Sequence, residues 1–395
     1  MTTNGPGAGS VWRAPGMPAL ISMTALGFSG FAVLMPVAPL WAVAGGADVA
    51  GAGLVTGVLM LATVAGQTMV PAALRRFGWA PVLVVGLLLL GLPAPAMLAS
   101  TELPVILVWS AVRGLGFAVL TVAGGSAVPE LIEPARRGRA IGAWGLAIAG
   151  PQLVLLPLAP WVAEHLGYAP VFAVAVLPVL GIPAALRLAK HLAAKPPHPA
   201  EHAHASHGPL AAAAVLFRPV ALLLAVTVAG GALITFLPQL AGDQLLAAAA
   251  LLLLTGLAAL SRWLIGGPAD RFGARPLLWP LVLATTAGLA ITAWGVVDAA
   301  APADWALLVG AALVGLGYGG LQNLTLGEAF AAVGPRDTLL ASMVWNIGFD
   351  AGTGFGAVLV GTIAAGFSFP VAFLCAAALS LATLPLAIMR GRRLS

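Results

Sequence analysis

GGPADRFGARP, residues 266–276, is a short charged turn set against long hydrophobic stretches. Asp270, Arg271 and Arg275 crowd into it, whereas the stretch that follows, 276–297, carries no charge. A weaker copy stands half a chain earlier. ALRRFGWAP, residues 73–81, matches PADRFGARP, residues 268–276, and their Arg-Phe-Gly triplets are offset by 195 residues (271 − 76). AVRGLGF at 111–117 is echoed by ALVGLGY at 312–318, and Glu130 by Glu328. Repeats of about half the chain predict two similar bundles facing one another, the plan of secondary transporters.

Outward from these turns, the apolar stretches number twelve: roughly 17–41, 50–73, 80–99, 104–129, 140–162, 168–188, 213–240, 243–265, 276–297, 304–328, 338–364 and 367–388. Each is near the length of about 20 residues that a helix needs to cross a bilayer. The basic residues sort by side. Of the 18 Lys and Arg, 17 fall in the termini or the even-numbered loops and their edges: Arg13, Arg75, Arg76, Arg136, Arg137, Arg139, Arg187, Lys190, Lys195, Arg218, Arg262, Arg271, Arg275, Arg336, Arg390, Arg392 and Arg393. The opposite loops hold only acids, such as Asp48, Glu102 and Asp243. Positive charge stays on the cytoplasmic face, so both termini are expected there. The expected fold is an all-α polytopic membrane protein, twelve transmembrane helices in two pseudo-symmetric six-helix bundles. Its segments are a tail (1–16), a first bundle (17–188), a linker (189–212), a second bundle (213–388) and a tail (389–395).

Composition agrees and excludes other classes. The chain is 61% hydrophobic and 8% charged, against roughly 25% charged residues in soluble domains. The net charge of +5 is spread along one face, so it reads as topology, not as a nucleic-acid footprint. One cysteine, Cys375, excludes an internal disulfide and a Cys-rich metal site. The N-terminus has no small-residue cleavage motif after its first apolar stretch, so no cleavable signal is expected. His191, His198, His202, His204 and His207 gather in the linker; without ordered spacing they read as a tether, with a labile metal site as the alternative. No G-x-x-x-x-G-K-S/T loop occurs, so direct ATP drive and a nucleotide cofactor are not expected. Nor does any apolar stretch carry an H-x-x-x-H pair or a nucleophile–base arrangement, which argues against a membrane enzyme.

Gly266, Asp270, Arg271, Gly273 and Arg275 match residue by residue the G-x-x-x-D-R-x-G-x-R/K loop of the major facilitator superfamily, which the chain therefore resembles. In the first-half copy only Arg76 and Gly78 remain; Pro71, Arg75, Trp79 and Ala80 replace the rest. The resemblance implies alternating access, with the loop's charges locking one conformation. It assigns gating to Arg76, Glu130, Gly266, Asp270, Arg271, Gly273, Arg275 and Glu328; a topological anchor is the plainer role. GLAIAGPQ in the fifth stretch shares Gly145, Gly150 and Pro151 with the exporter signature of the drug and metabolite branches, though Val154 and Leu155 stand where that signature ends in Gly-Gly. Gly150 and Pro151 are expected to bend the helix and admit a close neighbour.

Two ionisable residues lie well inside apolar stretches. Arg113 stays charged and needs a carboxylate, carbonyls, water or a substrate anion. The resemblance implies proton coupling or anion recognition there; the structural alternative is a charge bonded to helix carbonyls around Gly114 and Gly116. Asp350 is the simplest proton carrier, or else a cap on a helix break. Direct contact between the two is not expected. Tyr318, Gln322 and Thr325 share one helix face. With Trp109, Gln67, Gln152, Asn323, Trp345 and Asn346 they fit a cavity for a moderately polar solute, or serve as interhelical glue. The expectation is proton-coupled efflux of a small organic solute by a monomer in lipid, with protons as the coupling ion and no metal. Uptake of a sugar or other metabolite is the alternative, and a membrane sensor or enzyme the reading from another class.

Overall fold

The computed structural model describes residues 14–133, 136–194, 209–298, 302–333 and 338–389. Twelve helical spans among them are long and apolar enough to cross a bilayer. Spans 1 to 6 are Met17–Ala44, Val49–Phe77, Trp79–Leu98, Leu103–Val128, Arg139–Leu166 and Tyr168–Ala193. Spans 7 to 12 are Ala213–Leu240, Gln244–Phe272, Arg275–Gly295, Asp304–Val333, Leu340–Gly366 and Phe369–Ile388.

The helices end where local chemistry stops them. Span 2 runs past its expected end because Arg75 and Arg76 occupy its last turn, where cations complement the helix dipole. Gly78, at φ 79° and ψ 177°, then turns the chain. Gly273 does the same after span 8, at φ 78° and ψ 163°. Such positive φ angles favour glycine. The span 6 helix reaches Ala193, five residues into the expected linker, with Lys190 and His191 in its last turn. His198, His202, His204 and His207 lie outside the described residues.

Packing repeats between the halves. Spans 2 and 4, 1 and 5, 3 and 4, and 3 and 6 pack in pairs, and each pairing recurs six spans later as 8 and 10, 7 and 11, 9 and 10, and 9 and 12. Across the halves, span 2 packs on span 11 and span 5 on span 8, so the seam itself is pseudo-symmetric. The all-α, twelve-span fold in two helical bundles is therefore as the sequence predicts.

Candidate functional site at the seam between the halves

The seam is tightest on the face away from the termini. There Gly53 lies against Ala357 and Gly361, Gly57 against Val358, and Gly354 against Met60. Glycine is required because a Cβ at Gly53 would overlap the Ala357 carbonyl and one at Gly361 would crowd the Val49 carbonyl. Close backbone approach of this kind is how small residues join helices in a membrane. Thr56 and Thr235 hydrogen-bond across the same region at 3.1 Å.

Toward the middle of the spans the seam turns polar. Asp350 in span 11 is 4% exposed, and its Oδ2 accepts from Gln67 Nε2 of span 2 at 2.6 Å. The same amide nitrogen reaches Thr121 Oγ1 of span 4 at 3.3 Å. Gln67 Oε1 is buried without a partner. Tyr318 of span 10 stands near Thr353 and within electrostatic reach of both Asp350 and Arg262. Its ring packs on Phe349 with centroids 5.9 Å apart.

Arg262 of span 8 completes the group. Its Nη1 donates to Gln322 Oε1 at 3.1 Å, and its carbonyl accepts from Asn323 Nδ2 at 2.8 Å. The residue is exposed, as expected of one lining a cleft. From sequence it was one more side-sorting cation, because its neighbours Arg271 and Arg275 gave it a loop's context. Its distance from that loop was the signal that could have marked it. It lies 10 residues before the end of span 8 at Phe272 (272 − 262), about 15 Å along a helix.

Arg113 is elsewhere. It is 1% exposed, and its Nη2 donates to the Gly30 carbonyl at 3.0 Å and its Nε to the Leu90 carbonyl at 3.3 Å. All these partners lie in the first bundle. Pro93 and Pro95 interrupt span 3 just beyond Leu90. Gly114 and Gly116 pack against the backbones of spans 2 and 3, which brings the guanidinium to that break. The carbonyl-bonded alternative describes Arg113 in this conformation, and the structure does not bring it to Asp350.

On the termini face, Arg218 Nη1 and Glu328 Oε2 form an ion pair at 2.6 Å, 11% and 19% exposed. Arg218 Nε also donates to the Leu386 carbonyl at 2.8 Å. Around this pair lies a cavity of about 580 Å³, lined also by Gly266, Asp270, Gly273, Arg275 and Asn323. Arg275 Nε donates to the Ile388 carbonyl at 2.6 Å. Arg271 covers its neighbour Phe272 at 5.1 Å, and Arg76 covers Phe77 at 5.4 Å. Among the described residues neither Asp270 nor Arg271 has an ion-pair partner. Glu130 lies in the last turn of the helix Leu103–Leu131, and Glu328 lies five residues before the end of the helix Asp304–Val333.

The remaining expected residues divide. Tyr318, Gln322 and Asn323 join the seam group, and Trp345 borders it, its Nε1 donating to Thr325 Oγ1 at 3.1 Å and its ring stacked on Phe349. Trp109 instead packs into an apolar cluster of the first bundle with Trp41 and Leu107. Gln152 and Asn346 donate to carbonyls of their own helices, Ile148 and Ser342. Gly150 has open space around it, so the expected close helix contact is not made in this conformation. Pro151 sits inside one continuous helix, Arg137–Leu166. No three His, Cys, Asp or Glu side chains gather as a metal site among the described residues.

The chain matches the Major Facilitator Superfamily over residues 20–321. Similar solved folds include a bacterial homolog of the human lysosomal transporter Spinster. Its inward-facing unoccupied form has 16% identity and a TM-score of 0.68, covering 94% of this chain and 94% of that one. The occupied form has 15% identity and a TM-score of 0.69, covering 94% and 95%. The nucleoside transporter NupG has 14% identity and a TM-score of 0.73, covering 94% and 99%. No curated protein sequence matches the chain. The chain belongs to the major facilitator superfamily. It is a multi-pass membrane protein of the secondary-active, alternating-access type.

Proposed function

We propose that the protein exports a small organic solute in exchange for protons, with Asp350 as the proton carrier. One observation supports this most: Asp350 is held across the seam by a neutral amide, Gln67, not by a cation. Glutamine can serve both protonation states. Its Nε2 donates to the carboxylate, and a half-turn of the amide would offer Oε1, at present without a partner, to the carboxylic acid. A proton can then come and go without stranding a buried counter-charge. Because the bond joins the halves, protonation and opening are linked.

The solute site on this reading is the seam group: Tyr318, Gln322, Asn323 and Trp345, with Arg262 added, while Arg113 braces the first bundle through the Gly30 and Leu90 carbonyls. Sixteen of the 18 basic residues, all but Arg113 and Arg262, favour a cytoplasmic location for both termini. The conformation described is then open inward, with Asp270 and Arg271 free to latch the other state. The segments named from the sequence serve as two rocking bundles and their linker. Export is favoured by Gly145, Gly150 and Pro151, shared with the exporter signature.

The test is proteoliposomes under an imposed pH gradient, screened with candidate solutes. Efflux against the proton flow is expected from the native chain. In Asp350→Asn, solute exchange should persist while gradient-driven accumulation is lost. Accumulation that survives in Asp350→Asn would refute the proton-carrier role, and solute moving with the protons would make the protein a symporter.

A further inference from the structure

Arg262 is a cation inside a membrane span with no carboxylate within ion-pairing distance among the described residues. Its direction is set by its neighbours. Ala258 and Ser261 face span 10, where Ala258 meets Gly319 and Ser261 Oγ donates to the Leu316 carbonyl at 2.8 Å. Gly256 faces Leu153 of span 5, in the other half. At about 100° per residue, Arg262 points between these two directions, into the gap between span 10 and span 5. Lipid is on the other side of the helix, where Leu253, Leu260 and Leu264 are exposed.

The residue is held at its backbone and at its guanidinium. Gln322 receives one N–H of the guanidinium, and Asn323 grips the Arg262 carbonyl. Both anchors are neutral. A guanidinium has five N–H donors in a planar fork, so most of the fork remains on offer. An ionised group at this depth is expensive unless paired, and here the chain supplies no described anion to pair it. Asp350 is taken by Gln67, and Tyr318 is within electrostatic reach of both Asp350 and Arg262.

The geometry points to Arg262 as the anchor for an anionic group on the transported solute, a carboxylate or a phosphate monoester, with Gln322 orienting the fork. This rests on the seam being the solute site, and it adds the solute's charge. A planar fork suits the two oxygens of either group. Tyr318, with Trp345 and Phe349 close by, offers aromatic surface to the solute's organic part. Arg262 is thereby a specificity-determining residue, distinct from the proton carrier.

The experiment measures binding by thermal stabilisation of the purified full chain. The probes are matched sets of small aromatic and aliphatic compounds, each presented as carboxylate, phosphate monoester, amide and amine at constant ionic strength. Stabilisation by the anionic members is expected, and which anion prevails identifies the group. Arg262→Gln should weaken that binding about ten- to hundredfold, the worth of a charge-assisted contact. Arg262→Lys should retain part of it and decides the matter if Arg262→Gln does not fold. The proposal fails if no anionic member stabilises the protein, if amides or amines do so equally well, or if affinity is unchanged in both variants. The measurement needs no proton gradient. Failure of the proton-carrier role, read from Asp350→Asn in proteoliposomes, is therefore a separate result.

Discussion

Gln67 and Asp350 lie 283 residues apart in sequence and join the two halves of the chain through a single bond of 2.6 Å. Only the seam brings them together, and the bond is lost whenever spans 2 and 11 separate at that level.

Replacing Gln67 by Leu removes this tie and leaves the Asp350 carboxyl without its cross-seam partner. A buried hydrogen bond to a group that ionises is worth about 1–3 kcal/mol, on the scale that separates conformations of a bistable protein. Opening on the face away from the termini should increase about ten- to hundredfold. A cysteine at Val358, which faces Gly57, reports it in a Cys375→Ser background. Its modification by a membrane-impermeant maleimide should accelerate; an unchanged rate would show that the bond does not hold the seam.

Gly361→Val tests the seam sterically. The added atoms would meet the Val49 carbonyl, Gly53 Cα and the Phe236 ring. Overpacking of this kind costs about 1–3 kcal/mol, and the part met against Val49 and Gly53 of the other half falls only on the closed arrangement. The same Val358→Cys reporter should react faster, and transport should slow because the cycle stalls in one state. A lower melting temperature with unaltered labelling would mean that the helices shift without parting.

The Arg218–Glu328 pair lends itself to a double-mutant cycle. Arg218→Gln or Glu328→Gln alone leaves a largely buried charge unmatched, whereas the double variant leaves none. The double change should therefore destabilise less than the sum of the single changes, with a coupling of about 1–3 kcal/mol. Melting curves in detergent measure it, and strict additivity would show that the pair contributes nothing.

Arg113→Lys separates structure from chemistry. Lysine keeps the charge but cannot bridge the Gly30 and Leu90 carbonyls as a planar fork. Stability should fall by about 1–3 kcal/mol, while the pH profile of transport keeps its shape. A displaced pH profile with intact stability would instead place Arg113 in the proton path.

The fold was legible because its signals are collective. Twelve apolar stretches, one-sided cations and a half-chain repeat each constrain the same topology, and an error of a residue or two at a boundary changes none of them. Single residues were harder. Arg113 and Asp350 stood out because a charge inside an apolar run is conspicuous, but their partners were invisible: Gly30 and Leu90 contribute only backbone carbonyls. Arg262 was hidden for the opposite reason, since it follows an apolar run at the approach to a charged turn. Trp109 looked like a cavity residue because it stands one turn before Arg113, yet that part of span 4 belongs to the interior of the first bundle. Depth in the bilayer can be read along a sequence, whereas the direction a side chain faces depends on which helices pack beside it.

Gly78 and Gly273 hold nearly the same backbone angles, and each follows an arginine laid over a phenylalanine. Yet Arg75 stands in one turn where Asp270 stands in the other. The two turns are interchangeable as carpentry and unequal as electrostatics. Residues 268–276 transplanted into positions 73–81 should fit without strain and would carry an acid to a turn that now holds only bases. The chain has kept two hinges of one pattern and fitted a bolt to a single door.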